Sequence, residues 1–279
     1  MAIQITSLEE LHAVELEAML EVDRVCKLHG IRWFLHGGTM LGALRHGGPI
    51  PWDDDVDIAL LHDDYVRFVE LAVPDLDPRF TFTDHSDDTE FFDFVPRITD
   101  TAYEYPVAAA YADKFSGDHS HPDMDIFVFE SACTGFRDSL QSLRLSMSSA
   151  MAMGHRDGVD HSEFSGAAKI ASYILPAIGR RRSLRSLVAA RARLAAWGSP
   201  DSPTLRVPND IPRSMGFRFE RSWYDGERRV PFSGEMLPVP AEAEKELEVG
   251  YGPRWTELPK PASRHPEHAD LPYVPDEAE

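Results

Sequence analysis

Asp53, Asp54, Asp55 and Asp57 stand together after Trp52, and the apolar run Ile58-Ala59-Leu60-Leu61 follows them directly. Alternate side chains share a face of a β-strand, so a strand from Asp55 to Leu61 turns Asp55 and Asp57 one way and Val56 and Ile58 the other. Two carboxylates side by side repel, and a bound cation relieves the repulsion. The apolar residues place the pair at the mouth of a buried strand, where a merely solvated acidic edge is not expected. An EF-hand loop is excluded. Counted from Asp53, its sixth position holds Ile58 where glycine is required, and its twelfth holds Asp64 in place of glutamate. Pro51-Trp52 delays the strand, so Asp53 and Asp54 are expected behind the paired acids.

Upstream, Gly37 and Gly38 fall where a short apolar run, Ile31 to Leu35, meets a helical pattern from Thr39 to Arg45. Glycines at such a junction permit close backbone approach, and the helix N-terminus offers free N–H groups to an anion. The same pair would also serve a plain turn. Arg97 lies inside Phe94-Val95-Pro96-Arg97-Ile98, from which it could reach a phosphate. His119 and His121 have a spacing that a metal accepts, though exposure in a loop is the commoner fate of such histidines. Trp52 reads as a packing anchor rather than a stacking platform. The arginine-dense stretch Arg180 to Arg193 could meet an anionic acceptor or a membrane surface, or form a solvated helix face.

The elements that must position these residues are partly legible. Ser7-Leu8-Glu9-Glu10 has the form of a capping box, and Leu11, Val14, Ala18, Val22 and Val25 follow at helical spacing. A helix is expected from Leu8 to His29, stopped by Gly30. A helix from Asp63 to Ala72 closes at Pro74, and strands are expected over Arg79 to Thr83, Phe91 to Thr99 and Asp125 to Phe129. The last reads as buried on both faces. From about Ser139 to Trp197 the pattern is helical, with stretches Phe164 to Ile178 and Ser183 to Trp197. Phe217 to Phe232 reads as a hairpin turning at Asp225-Gly226. Ala241 to Val249 is a final helix ended by Gly250. These elements imply an α/β (α+β) architecture: a mixed sheet with helices against it and a helical subdomain.

The chain has 279 residues, 43% of them hydrophobic, enough for one large core or two joined lobes. A net charge of -19 disfavours bulk nucleic-acid binding, although a bound cation can reverse the field locally. Cys26 and Cys133 fit neither a zinc spacing nor a disulfide framework. No secretory signal is expected, and no apolar run reaches the ~18 residues that span a bilayer. A cytoplasmic location is the expectation.

Gly37-Gly38-Thr39-Met40-Leu41-Gly42-Ala43-Leu44-Arg45-His46, followed by Ile50-Pro51-Trp52-Asp53-Asp54-Asp55-Val56-Asp57-Ile58, resembles the signature of the LicD family of phosphocholine and fukutin-related phospho-polyol transferases. Met124-Asp125-Ile126-Phe127 resembles the family's third-carboxylate strand. There the usual Pro-Leu-Asp continuation is replaced by Val128, Phe129 and Glu130. The segments near Val230-Pro231-Phe232 and Tyr251-Gly252-Pro253-Arg254-Trp255 resemble its closing pattern. The resemblance implies a nucleotidyltransferase (polymerase beta-like) fold. It implies a catalytic core over residues 1–135 that residues 216–262 complete, leaving a helical subdomain at 136–215 and an irregular tail at 263–279. It also implies that Asp55 and Asp57 bind Mg2+ or Mn2+, with Asp125 as a further ligand or the base. Gly37, Gly38 and Thr39 would face phosphates, Arg45 and Arg97 would neutralise charge, and Asp53, Asp54 and His121 would stand behind. The expected partners are a nucleotide-diphosphate-linked donor and a sugar or glycan hydroxyl. A nucleotide-sugar pyranose/furanose mutase (an isomerase) is the alternative that the same pyrophosphate site would allow. A nucleotide-binding pseudoenzyme is disfavoured because all three acids are present.

Overall fold

A computed structural model describes residues 2–84, 94–106, 121–155, 161, 164–210, 212–266 and 271–273. After a short strand β1 (Ile3–Gln4), helix α1 runs from Leu8 to His29. Ser7 accepts the Glu10 N–H at 3.2 Å, whereas the Glu10 carboxylate closes on the Thr6 N–H and hydroxyl, each at 2.7 Å. The expected box is thus shifted by one residue on its return side. Gly30, at φ 60, ends the helix as expected.

A mixed sheet carries the site. Its strands are β2 (Phe34–Leu35), β3 (Val56–Leu61), β4 (Phe80–Thr83), β5 (Arg97–Asp100) and β7 (Asp123–Ser131), in the order β2-β3-β7-β5-β4. β3 and β7 are parallel, and the other neighbours on this path are antiparallel. β8 (Thr204–Arg206) extends β7, and β9 (Phe219–Glu220) pairs with β8. A small β6 (Tyr103–Glu104) pairs with β1. The pleat sorts β3 and β7 between two cores. Val56, Ile58, Leu60, Met124 and Ile126 pack with Met19, Val22 and Val25 of α1. Ala59 and Phe129 pack with Phe34, Leu205, Phe219 and Tyr224 on the other side. β7 is therefore not buried equally on both faces: Met124, Ile126 and Val128 are buried, but Asp125 and Phe127 stay half-buried.

Helix α2 (Gly37–His46) starts two residues earlier than expected, so the glycine pair forms its first turn. α3 (His62–Arg67) continues as a π-helical turn, Phe68–Ala72, and a 3-10 turn containing Pro74. β5 starts later than the expected Phe91, after Pro96, which has no N–H to give to a ladder; Phe91 itself lies outside the described residues. In the second half, α4 (Phe136–Ala152), α5 (Gly166–Gly179) and α6 (Leu184–Ala195) confirm the helical pattern.

The hairpin is misplaced in the sequence reading. β10 (Glu227–Phe232) pairs with β11 (Glu235–Pro240) about Ser233-Gly234, at φ 50 and 90. Positive φ at both central residues matches the twist of the flanking strands. Asp225-Gly226 only leads into β10, because Phe219 is claimed by Leu205 and a 3-10 turn, Arg221–Tyr224, intervenes. The last helix, α7 (Ala243–Tyr251), ends at Gly252 rather than Gly250. In the tail, Leu271 is buried with Ile5, Leu8 and Leu11. Among the described residues, no helix is long and apolar enough to cross a membrane.

Candidate active site

Register builds the site. Asp57 on β3 is the direct partner of Asp125 on β7. Leu35 pairs with Ile58, and the His36 N–H donates to the Asp57 carbonyl at 3.1 Å, so β2's line continues one residue onward. His36, Asp57 and Asp125 thus form a row across three strands, and residues opposite one another share a face. β3 lies between the other two, so the Asp125 strand pairs with β3 and not with β2.

The aspartates crowd one another. The Asp57 carboxyl is pushed well above the usual carboxylate range, first by burial and then by repulsion from Asp55, Asp125, Asp53 and Asp210. A Cβ on Gly37 would sit 2.5 Å from Asp57 Oδ2, and one on Gly38 would sit 2.8 Å from Asp53 Oδ2. Only glycine leaves room for carboxylates this close, and Gly37 also has φ 52. Two acids therefore rest against the N-terminal turn of α2, the end whose free N–H groups favour negative charge. The Thr39 hydroxyl accepts the Asp57 N–H at 2.8 Å, fixing the backbone of that acid.

The other expected residues divide. Arg97 is the register partner of Asp125, and its Nε lies 2.7 Å from Asp125 Oδ1 and 3.4 Å from Asp123. Arg45 donates to the carbonyls of Trp255 and Glu257 at 3.3 and 3.4 Å, and burial lowers its affinity for its proton. Asp54 is buried, whereas Asp55 is exposed. His121 Nδ1 bonds the Tyr103 carbonyl. His119 lies outside the described residues. Trp52 packs, with Tyr273 and the Arg264 guanidinium against its ring. A cavity of about 590 Å³ lies beside this cluster, between Ser7, Leu16, Pro49 and Tyr273. It approaches the site through His12, whose Nε2 contacts the Asp53 carbonyl at 2.8 Å.

Four residues escaped the sequence reading. His36 Nδ1 contacts Glu246 Oε1 at 2.7 Å, and the Tyr224 hydroxyl donates to Glu246 Oε2. With both oxygens accepting, Nδ1 carries the proton toward Glu246 and Nε2 is the nitrogen left for a ligand. The His36 ring packs on Phe127, two residues along β7 from Asp125. Glu15 of α1 is also buried, and its carboxyl is raised well above the usual range by burial and then by Asp55, Asp53, Asp54 and Asp123. Its signal was a charge inside an apolar stripe, at helical spacing from Leu11 and Ala18.

Among the described residues, no three His, Cys, Asp or Glu side chains stand ready to hold a metal ion. The donor chemistry nevertheless suits a hard divalent cation: Asp57 sits among like charges from Asp55, Asp125 and Asp53, all of them oxygen donors.

Residues 30–132 match the LicD/FKTN/FKRP nucleotidyltransferase domain. The chain is 42% identical over 65 residues to the lipopolysaccharide cholinephosphotransferase LicD of Haemophilus influenzae, covering 23% of this chain and 24% of that protein. It is 45% identical over 53 residues to the human and mouse ribitol 5-phosphate transferase FKRP, covering 18% of this chain and 11% of theirs. The chain thus spans about a quarter or less of these curated relatives. The matched segment, residues 30–132, holds Gly37 to Asp57 and Asp125.

Proposed function

We propose that this protein is a metal-dependent transferase of the LicD type, moving a phospho-substituent from a nucleotide-diphosphate-linked donor to a sugar hydroxyl. The observation that carries the reading is the row of Asp57 and Asp125 on adjacent parallel strands, with Asp55 beside it, inside the matched domain. Asp55 and Asp57, joined by Asp125, would hold Mg2+ or Mn2+, which would neutralise the donor's diphosphate. The residues around them do the positioning. Gly37 and Gly38 admit the carboxylates, Thr39 holds the Asp57 backbone, and Arg97 orients Asp125. An aspartate paired with a guanidinium is a fixed anion, better suited to ligation than to proton transfer. His36 Nε2 would then take the acceptor hydroxyl's proton, with Glu246 holding the ring. Arg45 brings positive charge to the rim.

The test is incubation with CDP-, GDP- and UDP-linked compounds, sugar acceptors and Mn2+, with and without EDTA. The expected result is acceptor-dependent release of nucleotide that EDTA abolishes. Turnover in a verified metal-free preparation, or an isomerised donor with no acceptor requirement, would overturn the reading.

A further inference from the structure

α5 is apolar on its outside. Its buried positions are Ser172, Pro176 and Gly179. Ile170, Tyr173, Ile174 and Ile178 are 64%, 55%, 53% and 44% exposed. At spacings of three, four and eight they fall on one side of the helix. The helix is seated through small residues; Tyr173 stacks on His161, but the fold's own packing does not account for the outward Ile170, Ile174 and Ile178.

The charge around this stripe runs against the rest of the chain. Residues 164–200 contain Lys169, six arginines and no aspartate or glutamate, in a protein of net charge -19. Lys169 is exposed near the start of α5, and Arg180, Arg181 and Arg185 are exposed beyond its end. Among the described residues none of these four is paired with a carboxylate.

We propose that α5 docks on an anionic lipid bilayer, lying flat, with the Ile170–Ile178 stripe at the acyl boundary and Lys169, Arg180, Arg181 and Arg185 on lipid phosphates. A bilayer presents an apolar layer directly beneath a plane of phosphates, which fits a stripe bounded by cations at both ends. A protein partner would need an apolar groove with acids at both ends. Fourteen residues of helix reach only about 21 Å, short of the ~30 Å hydrocarbon core, so the helix lies in the interface. The acidic remainder is no obstacle beyond the Debye length, about 8–10 Å at physiological salt.

The experiment is co-sedimentation of the full chain with vesicles of phosphatidylcholine alone, or mixed with phosphatidylglycerol. Binding is expected only with the anionic lipid, and it should weaken as salt rises. Ile170→Glu with Ile174→Glu should reduce it at least about tenfold, and each of Arg180→Gln and Arg181→Gln about fivefold. All four positions are exposed, and far-UV circular dichroism checks that the variants fold. Failure of the wild type to bind anionic vesicles would overturn the proposal. So would binding that the isoleucine variants leave unchanged, which is charge attraction alone. Self-association that the isoleucine variants abolish, without vesicle binding, would assign the stripe to a second copy and also overturn it.

Discussion

At the seam between α4 and β8 a buried cation is surrounded by acceptors; at the mouth of β3 a carboxylate is surrounded by other carboxylates. Arg206, 1% exposed, donates to Gln141 Oε1 at 2.7 Å and to the Met215 carbonyl at 2.9 Å. Burial, then the neighbouring Arg218, pushes its pKa down to about 10, so it remains charged at neutral pH. Asp138 lies 3.6 Å away and is held at 2.6 Å by Arg218. That charge is answered inside the protein. Asp57 has Asp55, Asp125 and Asp53 for neighbours. Buried charge with partners holds a fold together, whereas charge crowded by its own kind waits for a ligand.

The comparison breaks most sharply at Asp57. Asp57→Asn keeps size and hydrogen bonding but removes one charge. Turnover should fall by about three orders of magnitude, roughly 4 kcal/mol of barrier. The metal-free fold should be unharmed or slightly stabilised, since one repelling charge is gone. Urea unfolding without metal, run beside the assay, reads both quantities. Turnover within about threefold of wild type, ~0.7 kcal/mol, would remove Asp57 from the site.

Arg206→Met should show the opposite dissociation. It removes the Gln141 oxygen's shortest donor, leaving it only the Cys133 N–H at 3.3 Å, takes one of three donors from the Met215 carbonyl, and deletes a buried cation beside Asp138, which costs about 2–3 kcal/mol of stability. Equilibrium urea denaturation measures the loss, and a shift below about 1 kcal/mol would mean that Arg206 is not structural in this sense. Glu246→Gln falls between the two. It can no longer accept from both His36 and Tyr224 as a carboxylate does, so the imidazole loses its fixed orientation. Turnover should drop about tenfold, ~1.4 kcal/mol, under conditions where the variant is fully folded. An unchanged rate there would confine the Glu246 network to packing.

What the sequence disclosed follows the same division between near and far. α1 was legible from end to end because Ser7, the apolar stripe and Gly30 act within a few residues of one another. The site's skeleton was legible because Gly37 to Asp57 is one contiguous block. The hairpin was not: Asp225-Gly226 and Ser233-Gly234 both suit a turn, and the choice rests on Leu205 taking Phe219, a long-range pairing. His36 had no role legible from the sequence, because its partner Glu246 lies 210 residues away. Glu15 could have been noticed as a charge within the α1 stripe, but only the fold shows that Asp53, Asp54 and Asp55 lie beside it.

The smallest expected effect belongs to a pair at the rim, where opposite charges meet near water. His62, at the start of α3, contacts Glu130 of β7 through Nδ1 at 2.7 Å. That hydrogen bond raises the His62 pKa, burial opposes the rise, and the Glu130 charge adds to it. A histidine whose folded pKa exceeds its unfolded value of about 6.5 binds its proton more tightly when folded. The stabilisation is fully present below about pH 6.5, provided Glu130 is ionised, and is lost as pH rises through the folded value. The His62 side chain is 50% exposed, so solvent screening holds the effect to a few tenths of a kcal/mol. Wild type should exceed His62→Gln in stability by that amount near pH 5.5 and match it near pH 8.5, in urea denaturation run side by side. Glu130→Gln should show the same profile, since either change removes the pair. A difference that stays flat across this range, or grows toward alkaline pH, would show that the contact is not a charged pair in solution.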